Sequence, residues 1–541
     1  MNKSIFLLLF TFFSQGLFAQ AAGTEGSDYL LYILLAVVVI ALFVIIIQVA
    51  DNMMVIEAER QGATHSNANF GIFPRVSEIF RKPVPDYVQE GNLTILKKGF
   101  NIPLEGEANK KVIEKSTNTF AIQPPNFIGM QPIPKVLVAE GDTVKAGDPL
   151  LFDKNRPEIM YGAPVSGEVI EVRRGQRRAI EAVVILADKA VKSREYAAFD
   201  LENADRDSLV AYMLDACVWP FIRQRPYDIV ADPKDVPVNI FISTFDTAPL
   251  APDLNFVVEG KGAAFQKGLD VLNKLTSGKV HLGLDANAET APSEVFTGAA
   301  GVEKHWFRGQ HPAGNPGVQM HHVAPLKLKD KAWTLGVQDV LTIGTLFLER
   351  RYDASRVVAV AGAEVKTPAY ILTWQGAKVE DLVKENLIGD HVRFISGDVL
   401  SGKQKSADSF LNFYDDQLTV VKEGDDYELF GWLVPQESRP SISKTYLNHL
   451  LPDNRFRAST NTRGEKRAFV VTGDYERLLP MDIYPQHLIK AIINGDYESM
   501  EGLGLKELVE EDIALCEFGC LSKQELQKIL REGLELMRAE E

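Results

Sequence analysis

The chain has 541 residues, 46% hydrophobic and 24% charged, the balance of a multidomain globular protein. That excludes wholesale disorder, a collagen-like repeat and a disulfide-stapled mini-protein. With 73 acidic residues against 58 basic ones the formal charge is −15, so no diffuse positive field exists to hold nucleic acid.

Two apolar runs open the chain. Ile5 to Phe13, after Lys3 and before the small residues around Ala19, Ala21 and Ala22, reaches about 14 Å as a helix, less than half a hydrocarbon core. It reads as a secretory signal over 1–21. Tyr29 to Ile47 is 19 residues without a charge, about 28 Å as a helix, which predicts a transmembrane helix over 29–48. The segment before it (Thr24 to Asp28) has no Lys or Arg, and Arg60 follows it. A cleaved signal puts the new N-terminus outside, and one span returns the bulk of the chain to the cytoplasm. A reducing compartment suits the three cysteines, Cys217, Cys516 and Cys520. An N-terminus held inside would reverse this topology.

Residues 51–91 are polar and carry Pro74, Pro83 and Pro85, a juxtamembrane linker. From 92 to 195 short β-type runs are broken by Gly and Pro, the clearest at Val136–Val138, Pro149–Phe152 and Gly167–Val172. Between 200 and 352 helices (Ser208–Ala216, Ala264–Leu275) mix with strands (Val238–Ser243, Lys279–Leu284), which predicts an α/β layer structure. A further β-rich stretch, 353–435, surrounds one helix beginning near Val379. The rest, 436–541, is predicted to be helical past Pro480 and to end in a charged, solvated helix over Lys523–Glu540.

Several chemical motifs fail on inspection. Gly260-Lys261-Gly262 starts like a dinucleotide fingerprint after a strand-like Phe256-Val257-Val258, but Phe265 stands at the third glycine position. Gly397 to Lys403 resembles a P-loop after the strand-like Val392–Ser396, yet Gln404 replaces the Ser or Thr that ligates magnesium. Cys516 and Cys520 sit four apart, and three cysteines cannot hold a self-contained four-cysteine cluster. His305, His311, His321 and His322 form the histidine-dense region. Neighbours such as His321 and His322 point to opposite sides of a strand, so a metal is not expected. His311-Pro312-Ala313-Gly314-Asn315-Pro316 reads instead as a rigid loop that presents backbone to a partner or ligand.

Val138 to Leu150 and Ala163 to Val169 are two hairpins resembling the barrel-sandwich halves of biotinyl and lipoyl carrier domains. Lys154 sits near the place of their modified lysine but without the flanking residues. Together with Lys98-Gly99-Phe100-Asn101-Ile102-Pro103-Leu104, Gly129 to Pro132, Trp219 to Pro226, Phe245 to Asp253, the His311 loop, Arg393 to Gly397 and Glu510 to Cys516, they resemble one family from about Leu96 to the C-terminus. That family is the A subunit of the sodium-translocating NADH:quinone oxidoreductase. The signal and anchor are additions to its usual pattern.

The resemblance implies a barrel-sandwich-hybrid-like β domain, an α/β domain, a β-grasp (SLBB-like) segment and a helical C-terminal domain. It also implies a non-redox peripheral subunit on the cytoplasmic side of a bacterial inner membrane. Such a chain binds no cofactor itself; NADH, FAD, FMN, iron centres and quinone belong to the whole complex, and its partners are the B to F subunits, chiefly the B subunit. No catalytic residue is expected here. Arg223, Arg225, His311 and Gly314 are expected on a quinone- or partner-facing surface, since Arg and His hydrogen-bond carbonyls. Rival readings are an efflux adaptor, which needs a long coiled-coil hairpin where only a dozen residues intervene, a carrier enzyme modified at Lys154, and a membrane-anchored ligand- or quinone-binding module.

Overall fold

The computed structural model describes residues 27–60, 84–88, 91–115, 117–327, 329–431, 438–442 and 454–540. Two compact units result, residues 1–84 and 85–541. In the first, one helix runs unbroken from Ser27 to Arg60. Its Val- and Ile-rich stretch has modest helix propensity in water, and its apolar side chains are exposed, Ile33 at 65% and Phe43 at 64%. Among the described residues no helix is identified as long and apolar enough to cross a membrane, so the span expected at 29–48 rests on the sequence of this helix. The expected signal, 1–21, lies outside the described residues, as do 61–83 of the expected linker. Asp51–Arg60, expected as linker, continues the helix instead, because its Met, Glu and Ala residues are good helix formers.

Among the described residues, the second unit is organised by four sheets. Seven strands lie in the order Leu93–Ile95, Glu303–Arg308, Lys279–Asp285, Asn239–Ser243, Ala332–Thr334, Arg223–Arg225 and Ile229–Val230. The first five run parallel, and Arg223–Arg225 runs opposite to both of its neighbours. Ile240-Phe241-Ile242 is buried on both faces, the pattern a parallel sheet covered by helices requires. Helices Gly262–Asn273 and Val337–Glu349 meet at Gly344, where a Cβ would stand 1.7 Å from the Ala264 carbonyl oxygen. Only glycine permits that approach.

Two smaller sheets make the barrel-sandwich hybrid. Thr119–Ile122, Ile180–Ala187, Gly167–Arg174 and Thr143–Val144 form one; Lys135–Val136, Pro149–Asp153 and Arg156–Gly162 form the other. Lys154 lies exposed on the two-residue turn of the last hairpin, where Asp153 pairs with Arg156. A six-stranded sheet, Lys403–Lys405, Val392–Ser396, Gln417–Lys422, Ser355–Ala361, Ala369–Trp374 and Asn109–Glu114, holds the short helix Val379–Val383. The segment 92–195 is therefore not self-contained. Leu93–Ile95 extends the α/β sheet and Asn109–Glu114 the β-grasp sheet.

Five helices, Tyr475–Leu478, Pro485–Asn494, Tyr497–Gly502, Glu510–Phe518 and Leu526–Glu540, build the C-terminal end. The last, expected to be solvated, buries Leu526, Leu530, Leu534 and Met537. Their helical spacing gathers the apolar side chains into one stripe and turns the charges outward. Two other expectations change. Phe256-Val257, read as strand-like, belongs to the helical turn Leu254–Val257, so Gly260 and Gly262 follow helix rather than strand. After Val392–Ser396 the chain turns through Asp398, whose carboxylate accepts from the Leu400 and Ser401 backbone, into another strand instead of a P-loop helix.

Candidate functional site

In open α/β sheets ligands bind beyond the carboxyl ends of the parallel strands, where loops diverge. Here that end carries the loop after Ser243, with Asp246 and Thr247, and the loop after Arg308, with His311 and Gly314. The chain itself fills much of the space between them. Phe100 donates its backbone N–H to the His311 carbonyl at 2.9 Å, and Asn101 Oδ1 accepts from the His311 N–H at 2.8 Å. Gly99, at φ +121°, would place a Cβ 2.4 Å from the same carbonyl. The Lys98-Gly99-Phe100-Asn101 motif is thus the clamp on the histidine loop.

Thr247 Oγ1 accepts from the Gly314 N–H at 3.0 Å and stands 3.2 Å from His311 Nδ1. The ring's other nitrogen is Nε2. That nitrogen is buried and has no partner among the described residues. Burial lowers the His311 pKa to about 4 against the pull of Asp398, so the ring is neutral near pH 7. Gly314 is packed so closely that a Cβ would meet the Thr247 nitrogen at 2.8 Å. Asp246 keeps contact with water, yet the elements crowding around it raise its carboxyl to about 6.

Arg225 and Arg223 lie on the strand Arg223–Arg225, at the seam with the C-terminal helices. Arg225 is 1% exposed. Its guanidinium reaches Glu511 at 2.6 Å and Asp512 at 3.2 Å, both at the start of the helix Glu510–Phe518. Arg223 pairs with Asp228 at 3.0 Å and lies over the Tyr414 ring at 5.1 Å. Asn315 donates to the Glu511 carbonyl at 2.9 Å, and Gly317 lets the Asp512 carboxylate approach. Arg225 and the segment following His311 both close on Glu511 and Asp512. Arg225 does not form an exposed surface, because its guanidinium is buried against two acids.

Desolvation, with Asp512 beside it, raises Glu511 to about 7 although Arg225 opposes the shift. A carboxyl with a folded pKa above its unfolded value of about 4.3 binds a proton on folding. Its contribution is therefore full below pH 4 and lost as pH rises through 7. Thermal unfolding is expected to show stability falling as pH rises from about 4 to about 7, with Glu511→Gln reducing that fall by about 1–2 kcal/mol. An unchanged slope would assign the pH dependence elsewhere.

His321, His322, Cys516 and Cys520 serve packing at this seam. His321 and His322 sit on the helix Pro316–Val323, not a strand. His321 bonds Glu507 at 2.7 Å and receives the Asp482 N–H at 3.0 Å, while His322 reaches the Pro480 carbonyl at 2.7 Å. Both tie the α/β domain to the helical end. Cys520 accepts from the Tyr475 hydroxyl at 2.7 Å, and Cys516 is fully buried beside it. One cluster was missed by sequence reasoning: His281, Glu303 and His305, brought together by parallel register across two strands.

A barrel-sandwich hybrid, a parallel-centred α/β domain and a β-grasp sheet, locked by buried ion pairs to a helical end, define a multidomain scaffold whose own chain occupies the sheet's ligand end. Residues 94–188 match the NqrA N-terminal barrel-sandwich hybrid domain, 204–352 the NqrA second alpha/beta domain and 357–407 the SLBB-type NQRA C-terminal domain. The A subunit of the Na(+)-translocating NADH-quinone reductase from Neisseria meningitidis serogroup B is 37% identical over 449 residues, 82% of this chain and 99% of that protein. Those of Vibrio atlanticus, 36% over 449 residues, and Alcanivorax borkumensis, 38% over 451, cover the same shares. The chain belongs to this NqrA family, the A subunits of the Na(+)-translocating NADH-quinone reductase.

Proposed function

We propose that this chain works as the redox-inactive subunit of a sodium-pumping NADH–quinone reductase in a bacterial inner membrane, with its 85–541 unit on the cytoplasmic side. The observation that carries this is the end-to-end match, 99% of the length of relatives bearing that name. Redox inactivity is supported by three cysteines against the four a cluster takes, and by the Gly397–Lys403 segment turning into a strand. NADH, FAD, FMN and iron centres then belong to the B to F subunits, and the B subunit is the principal neighbour.

Within this role, His311 Nε2 is the ring atom best placed to meet a quinone: the imidazole is neutral, and this nitrogen is buried without a partner among the described residues. Arg225, Arg223 and Gly314 act by holding its loop and the adjoining helix. The helix Ser27–Arg60 serves as a single-pass anchor, supported by 19 uncharged residues and their exposed apolar side chains.

The test is mild detergent extraction followed by native electrophoresis, an NADH-dehydrogenase stain and mass spectrometry of the band. The chain is expected in a large, flavin-containing, NADH-oxidising assembly. Migration alone, with no flavoprotein beside it, would overturn the role in a complex and favour an anchored ligand-binding module.

A further inference from the structure

At the other end of the seven-stranded sheet, far along the strands from the His311 loop, lies a cluster that the proposed function does not use. Strands Lys279–Asp285 and Glu303–Arg308 are parallel neighbours with His281 opposite Glu303 and Gly283 opposite His305. Because side chains alternate along a strand, His281, Glu303 and His305 all project from one face. His281 Nδ1 stands 3.0 Å from His305 Nε2 and 3.6 Å from Glu303 Oε2, and His305 Nε2 is 4.0 Å from that oxygen. A tetrahedral zinc with bonds of about 2.0–2.2 Å separates its ligand atoms by about 3.4 Å. The three donor atoms therefore need to move only by about half an ångström to enclose such an ion.

We propose that His281, Glu303 and His305 bind one divalent transition-metal ion of the zinc class, with the fourth position open to water. Two imidazoles and a carboxylate suit zinc and its first-row neighbours better than magnesium or calcium, which take oxygen ligands.

The site is built rather than incidental. Phe241 stacks on the His281 ring at 4.7 Å and 17°, fixing its plane. Lys279 pairs with Glu303 Oε1, leaving Oε2 turned to the histidines. Exposure rises from 7% at the His281 side chain through 18% at His305 to 41% at Glu303, so the ion has an entry path and a wet side. Two features work against affinity. The Lys279 ammonium lies close by, and among the described residues His281 Nε2 lacks the outer hydrogen-bond partner common around zinc. Micromolar rather than picomolar binding is the consistent expectation.

The experiment uses the full-length chain in detergent, carrying no polyhistidine tag and stripped with a chelator. Cobalt(II) is titrated while its visible absorption is followed, then displaced with zinc, and the bound metal is counted by elemental analysis. One ion per chain is expected. Glu303→Gln and His305→Ala, both on the open side where folding is least at risk, should each weaken binding by at least about tenfold. The double variant should abolish the absorption, while His391→Ala, a surface control, should leave it unchanged. Circular dichroism of each variant separates lost binding from lost folding. No saturable binding by the unmodified chain, or unchanged binding by the folded double variant, would overturn the proposal. The latter would place the metal elsewhere on the molecule.

Discussion

Replacing Arg225 by alanine is expected to detach the C-terminal helices from the α/β domain. The guanidinium is enclosed, with Glu511 at 2.6 Å, Asp512 at 3.2 Å and Asp228 at 3.8 Å. Asp512 has no exposed side-chain surface. Asp228 keeps Arg223 and Glu511 keeps some contact with water, but removing the arginine leaves Asp512 buried without a counter-charge, and breaking a buried pair in this way costs about 3–5 kcal/mol. Arg225→Lys should recover little, since one ammonium cannot serve two acids in the forked geometry of a guanidinium. Adding Asp512→Asn to Arg225→Ala should recover part of the loss, because the orphaned charge goes with it. Denaturant unfolding and limited proteolysis of the purified chain give the answer. A single Arg225→Ala variant within about 0.5 kcal/mol of the parent would remove the ion cluster as the seam's main fastening.

The second large effect concerns the helix Ser27–Arg60. Fifteen Leu, Ile, Val and Phe residues between Tyr29 and Ile47 gain about 5–9 kcal/mol on insertion. Arginine near the centre of a span costs about 2.5–3.5 kcal/mol. Val38→Arg with Ile40→Arg should therefore cancel most of the gain. Expressed without the other subunits, the parent chain is expected to stay in the membrane pellet after an alkaline wash and the double variant to leave it. Release of the parent under the same wash would remove the anchor, leaving membrane attachment to partner subunits.

Much of the domain order was legible because it is carried by local signals. Hairpin turns around Gly141 and Gly147, the buried run Val280–Leu284 and the turn into Val379 each state their own structure within a few residues. Long-range convergence was less visible. Nothing near Arg225 announces that Glu511 and Asp512, 286 and 287 residues away, will meet it. The resemblance drew attention to both segments, but not to their pairing. The metal-type cluster was hidden for a similar reason: His281 and His305 are 24 residues apart, and only parallel register aligns them. A signal did exist in the shared alternation of Lys279-Val280-His281 and Glu303-Lys304-His305. The histidine density around 305–322 instead drew attention to His321 and His322. A helix turns both of these toward the C-terminal end, where Glu507 and Pro480 receive them.

The strand Asn109–Glu114 completes its sheet only by pairing with Ala369–Trp374, and Asn109 bonds Pro368 across 259 residues of chain. During synthesis at about 5–20 residues per second, this strand leaves the ribosome on the order of 10–50 s before its partner. The hairpins of the barrel-sandwich hybrid can close in that interval while the segment ahead of them waits with unpaired edges. Its sequence, Asn109-Lys110-Lys111-Val112-Ile113-Glu114, carries two lysines and a glutamate, the kind of charge that keeps a waiting edge from joining the wrong sheet. The order of translation therefore sets the order of assembly, and the first β strands to be made are among the last to be docked.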